Sequence, residues 1–114
     1  MPHCIVEYSV GLDGTKLVCN VYSAVLASGL FNADGSDIKV RATSYNQYVL
    51  GGGCSSFAHV TIKLLSGRTA EQKESLAKGV LLRLTDLHMV NTEITVEICD
   101  IDRRSYQKAL RAPL

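Results

Sequence analysis

The second residue of the chain is proline, and an apolar, largely β-branched run follows it directly: Met1-Pro2-His3-Cys4-Ile5-Val6-Glu7-Tyr8. Removal of the initiator methionine would leave Pro2 carrying the free α-amine. Such an amine is secondary, has no side-chain freedom, and is fixed at the head of the strand that follows. It is the group in this chain able to act as a rigid base near neutral pH. Model α-amines titrate at about 7.7 to 8.0, and burial or neighbouring cations favour the neutral form. A base with a pKa near the working pH is the effective kind. Taken alone, Pro2 has a simpler explanation: proline after methionine permits methionine removal and opens a strand without needing a backbone donor.

The other residue types that do chemistry are dispersed. Cys4, Cys19, Cys54 and Cys99 form no C-x-x-C pair, so neither a zinc site nor a redox motif is indicated. Cys4, Cys19 and Cys99 fall in apolar elements and read as small core residues in a reducing compartment. His3, His59 and His88 lack metal-ligand spacing, and His59 reads as a hydrogen-bonded sheet histidine. Gly51-Gly52-Gly53 is not a phosphate loop, because no Gly-Lys-Ser/Thr follows it. Tyr45 and Tyr48 stand beside that run and can line a site from the loop.

The elements that must position these groups are legible from periodicity. His3 to Tyr8 reads as a strand, with Cys4, Val6 and Tyr8 on one face and Ile5 and Glu7 on the other. Gly11 to Gly14 breaks it. Asp13 or Thr15 then caps a helix with Leu17 or Val18, Val21, Val25 and Leu26 at helical spacing, stopped by Gly29. Ile38, Val40 and Ala42 alternate with Lys39, Arg41 and Thr43 in a second strand, which sets two cations on one face. Ser44 to Ser56 reads as a mobile hairpin or loop. Phe57 to Leu65 is the strongest strand, with Ala58, Val60, Ile62 and Leu64 opposite His59, Thr61 and Lys63. Thr69 and Gln72 form a capping box with Glu71 in the first turn, and the helix is expected to run to about His88 along Leu76, Val80, Leu84 and Leu87. Ile94, Val96 and Ile98 mark a fourth strand, and Arg103 to Arg111 is expected as a short basic tail helix.

These elements predict an α+β fold in the order β-α-β-β-α-β, a four-stranded sheet with two helices on one face. The 114 residues suffice for one domain, built of two βαβ halves at about 2–43 and 57–99 plus the tail. Apolar positions on both faces of strands such as His3 to Tyr8 predict that the uncovered face is buried in an oligomer. The net charge of +1 offers no global attraction to nucleic acid or membrane. No apolar run approaches the roughly 20 residues of a membrane span, and the N-terminus lacks a signal-peptide pattern, so a cytoplasmic location is expected. An RNA-recognition module shares the element order. Its aromatic strand pattern is missing from Phe57-Ala58-His59-Val60-Thr61-Ile62-Lys63-Leu64, which argues against that class.

Several motifs together carry a resemblance: Pro2-His3-x-Ile5-Val6-Glu7, Ile38-Lys39-x-Arg41, and Phe57-x-His59-Val60-Thr61-x-Lys63 leading through Gly67-Arg68-Thr69 into Glu71. With this spacing the chain resembles 5-carboxymethyl-2-hydroxymuconate isomerase of the tautomerase superfamily. The likeness covers most of the chain and is weakest over the first helix and Ser44 to Ser56. The resemblance implies a homotrimer, no cofactor, and an N-terminal proline that moves a proton, and the histidine and cysteine spacing already gave no metal. The macrophage migration inhibitory factor branch shares the proline and the length, but its motifs match less well.

What the resemblance implies about chemistry is specific. A 2-hydroxymuconate is a dienol bearing carboxylates, and its conversion to the conjugated ketone takes a proton from the enol oxygen and places one on a distant carbon. Pro2 would be the acid/base, in a 1,3- or 1,5-proton transfer. Arg68 would bind a carboxylate through its planar fork, and Arg41 would be a second cationic contact. Lys39 stands where the family pattern has arginine, which keeps the charge and loses the fork. Two other readings remain: a migration-inhibitory-factor-like keto-enol tautomerase, or an inactive oligomeric member that binds a small molecule.

Overall fold

The structure, a computed structural model, describes residues 1–113. It contains β1 (His3–Ser9), α1 (Gly14–Ala27), β2 (Lys39–Tyr45), β3 (Ser56–Leu65), α2 (Ala70–Thr85) and β4 (Thr92–Ile101). The strands form one mixed sheet in the order β2-β1-β3-β4. β1 runs parallel to β2 and antiparallel to β3, and β3 runs parallel to β4. Each parallel pair is bridged by a helix, as parallel neighbours require.

Alternation along the strands sends Cys4, Val6, Ala58, Val60, Ile62 and Leu64 to the helix-covered face, where all six are buried. α1 buries Leu17, Val21, Ala24 and Val25 against them, and α2 buries Leu76, Val80 and Leu84. Each fully buried aliphatic side chain of this kind contributes about 1.5 to 3 kcal/mol. Asp13 caps α1 through its side chain, which accepts from the Lys16 N–H, and Gly29 follows at φ 74, a conformation that glycine reaches without strain. Thr69 and Gln72 form the capping box expected of α2. This helix stops at Thr85, short of His88, because Leu87 and His88 close 3-residue turns and His88 turns to φ 51.

Three expectations need correction. First, the tail forms no helix: Asp102 to Tyr106 makes a single turn and 107–113 is irregular. Arg104, Lys108 and Arg111 would stack like charges at spacings of four and three, and no apolar stripe offsets them. Second, only Cys4 of the supposed core cysteines is buried; Cys19 is exposed on α1 and Cys99 is half-buried. Third, the uncovered face of the sheet is not apolar. On β1 it carries His3, Ile5 and Glu7, of which Ile5 alone is hydrophobic, and its neighbours by register are Lys39, Arg41, Thr61 and Lys63. No helix among the described residues is long and apolar enough to cross a membrane.

Candidate active site

Pro2 opens β1 with its ring fully buried, and its carbonyl accepts the Lys39 backbone N–H at 3.1 Å, tying the chain start to the head of β2. Pairing then sets Lys39 and Lys63 on either side of His3, with Arg41 beside Ile5. His3, Lys39, Arg41 and Lys63 therefore share the uncovered face at the Pro2 end of the sheet.

Cations crowd there. The Met1 α-amine and Nζ of Lys39 both donate to the Asp37 carbonyl, each at 3.1 Å. Burial, then the hydrogen bond and charge of Lys39, then Lys108 hold the Met1 amine below its ordinary value, with Asp37 opposing. His3 is also held low, by burial first and then by Arg41, the N-terminal amine, Lys39 and Lys63. Its Nδ1 lies 3.2 Å from Nη1 of Arg41. Its Nε2 lies 3.0 Å from the Tyr106 hydroxyl, and the two rings meet edge to face. The neighbouring Cys4 thiol is pushed up to about 12 by burial, so it is no nucleophile.

Arg68 follows β3 at the same end of the sheet but engages other groups. Its Nη2 donates to the Leu30 carbonyl at 2.8 Å, and its guanidinium carbon lies 5.3 Å from the Phe31 ring centre. The structure thus groups Pro2, Lys39 and Arg41, and sets Arg68 against the segment that follows α1.

Tyr45 and Tyr48 do not line this end. β2 is parallel to β1, so its last residue, Tyr45, pairs with Ser9 at the far end from Pro2. The Tyr45 hydroxyl donates to Glu7 Oε2 at 2.6 Å, and that of Tyr48 donates to the Ser55 carbonyl at 2.8 Å. His59 is a satisfied sheet histidine, 2.6 Å from Thr95 Oγ1 and 2.9 Å from Glu97 Oε2. Among the described residues no cluster of three or more His, Cys, Asp or Glu is placed to hold a metal.

Tyr106 and Lys63 join the site although neither was among the expected site residues. Lys63 was visible as a cation on the strongest strand and as the last residue of its motif, with no role attached. Tyr106 meets His3 across 103 positions, and its one signal is that it is the sole aromatic in a basic tail.

Comparison with known proteins gives a consistent picture. The sequence profile of the family described as 5-carboxymethyl-2-hydroxymuconate isomerase matches residues 2–106. No curated protein sequence matches the chain. Among solved structures, the 5-carboxymethyl-2-hydroxymuconate isomerase from Deinococcus radiodurans R1 is 22% identical, with 96% of this chain and 90% of that chain covered at a TM-score of 0.78. A fused 4-OT wild type symmetric trimer is 21% identical over 94% and 91% of the two chains at 0.80. A 5-carboxymethyl-2-hydroxymuconate delta-isomerase is 17% identical over 97% and 89% at 0.70. At these identities the structural likeness establishes the fold.

Proposed function

This chain belongs to the 5-carboxymethyl-2-hydroxymuconate isomerase family, and on that premise we propose that it is a cofactor-independent isomerase of a carboxylated dienol, with the Pro2 amine as acid/base. The observation that carries this reading is the setting of the N-terminal amine. Its own partial burial, then Lys39 and Lys108, already hold it low. Loss of Met1 moves the amine one residue inward, to a ring that is fully buried. A neutral prolyl amine there removes the proton from the enol oxygen. The oxygen lone pair becomes the C=O, the double bonds shift, and the prolinium returns the proton to the distant carbon. No electrons leave the substrate and the base is regenerated.

Carboxylates of the substrate fall to Arg41, Lys39 and Arg68. Arg68 spends one nitrogen on Leu30 and keeps the remaining N–H donors of its fork. The assembly we propose is a homotrimer, supported by the fold shared with the fused 4-OT symmetric trimer and by β2 and β4, whose outer edges pair with no strand among the described residues. A cytoplasmic setting suits four free cysteines. One observation favours the second reading, an inactive binding member: Lys39 turns its Nζ to the Asp37 carbonyl.

The test compares protein beginning at Pro2 with protein retaining Met1, each verified by intact mass, in one ketonisation assay with 2-hydroxymuconate and phenylenolpyruvate. The processed form is expected to turn over with a rate that rises with pH through the lowered prolinium pKa, because the neutral amine is the base. Material retaining Met1 should be at least about 100-fold slower. Equal rates would reduce Pro2 to a strand opener. Preference for phenylenolpyruvate would favour the migration-inhibitory-factor-like chemistry, and carboxylate binding without turnover would favour the inactive reading.

A further inference from the structure

The turn after β4 delivers a side chain to the Pro2 end. Asp102 accepts the Ser105 N–H through Oδ2 and the Tyr106 N–H through its carbonyl, both at 3.2 Å. Arg103 donates Nε and Nη2 to the Ser66 carbonyl at 3.2 and 2.8 Å. The turn is thereby fastened to the loop behind β3, and Tyr106 is held against His3.

Donor and acceptor roles then fix the protons. A guanidinium only donates, so Arg41 Nη1 at 3.2 Å requires an unprotonated Nδ1 on His3. The imidazole proton must sit on Nε2, and the 3.0 Å contact makes the Tyr106 oxygen its acceptor. The phenol proton is left without a protein partner among the described residues. The sequence Arg41 to His3 to Tyr106 therefore ends in an O–H donor on the opposite side of the His3 ring from the guanidinium. Arg41, Lys39, Lys63, the N-terminal amine and burial all press His3 toward the neutral form this arrangement needs.

We propose that Tyr106 is a specificity-determining residue, its hydroxyl donating to one substrate carboxylate while Arg41, on the opposite side of the His3 ring, contacts the other, so that the site selects dicarboxylated enols over monocarboxylated ones. A neutral donor and a guanidinium at the two nitrogens of one neutral histidine complement two separated anionic groups. The inference rests on the proposed isomerase reading for its substrate class.

Tyr106→Phe, made in protein that begins at Pro2, tests it while keeping the ring against His3. The KM for 2-hydroxymuconate should rise about tenfold or more, the loss expected for a hydrogen bond to a charged group. The KM for phenylenolpyruvate and both kcat values should stay within about twofold. A merely structural role would shift both substrates together. Calorimetric titration with cis,cis-muconate separates this inference from the isomerase reading. If the parent turns nothing over yet binds muconate about tenfold more tightly than the variant, the isomerase reading fails and the Tyr106 assignment stands. Equal KM changes for both substrates, equal muconate affinity, or no muconate binding by the parent overturns the assignment.

Discussion

At the Pro2 end of the uncovered sheet face, Lys39, Arg41 and Lys63 surround His3, and none of the three cations is ion-paired with a carboxylate among the described residues. Elsewhere on the same face the ionisable groups are matched: toward the far end Tyr45 donates to Glu7, and on β4, where Cys99 pairs in register with Lys63, Glu97 takes both His59 and the Cys99 thiol. The net charge of +1 averages over this segregation. A fold selected for stability alone would have traded partners between the two groups of residues. The cationic cluster instead bears mutual repulsion that a bound anion would relieve, whereas the matched groups have nothing to gain from a ligand.

The sharpest break of that contrast is Arg41→Ala. It should raise the KM for a dicarboxylated enol about 10- to 100-fold, roughly 1.5 to 3 kcal/mol, with the fold intact. Glu7→Gln at the far end should leave KM within about twofold. Equal effects at the two ends would mean that the cationic cluster is only a solvated margin. Arg68→Ala serves as the internal control, since its contacts with Leu30 and Phe31 predict a lower thermal midpoint as well as a higher KM.

A smaller effect should appear in the pH dependence of stability. The folded protein holds His3 below its ordinary value of 6.5. Between the lowered folded pKa and the unfolded one, the unfolded chain binds more protons, so stability falls as pH drops through that window. Urea midpoints from pH 8 to pH 5 should show the decline, and His3→Gln should flatten it. An undiminished decline in the variant would assign the effect to other groups.

The smallest effect belongs to Glu97→Gln. Its carboxylate is exposed, and screened pairs of this kind contribute little, so turnover and the denaturation midpoint should not move measurably. Cys99 should react faster with iodoacetamide, because the Glu97 hydrogen bond is the main reason its thiol is raised. A Cys99 rate unchanged by the substitution would mean that the Cys99–Glu97 contact does not persist in solution.

How far the molecule could be read from its sequence follows the range of the forces involved. The capping box at Thr69, the alternation of β3 and the α1 stripe are local, and each element formed where its pattern lay. The grouping of Pro2 with Lys39 and Arg41 was legible because the motifs fixed strands whose pairing brings them together. Tyr45 and Tyr48 could not be placed from the sequence, because proximity along the chain to a cationic strand says nothing about which end of it faces Pro2. Strand direction decides that. Cys19 read as core from the apolar residues around it, although it lies on the outer side of an amphipathic helix. Tyr106 was invisible for a stronger reason: its contact depends on a turn capped by Asp102 and anchored by Arg103, neither of which carries a periodic signal.

One feature of β1 matters for chemical durability. Conjugated ketones, the product class proposed above, are soft electrophiles that alkylate sulfur anions. Cys4 is two residues from Pro2, yet with its thiol pushed up to about 12 only on the order of one molecule in 100,000 bears a thiolate at pH 7. The protein can therefore release such a product repeatedly beside a cysteine without poisoning itself there, and the safeguard is a proton held in place by burial.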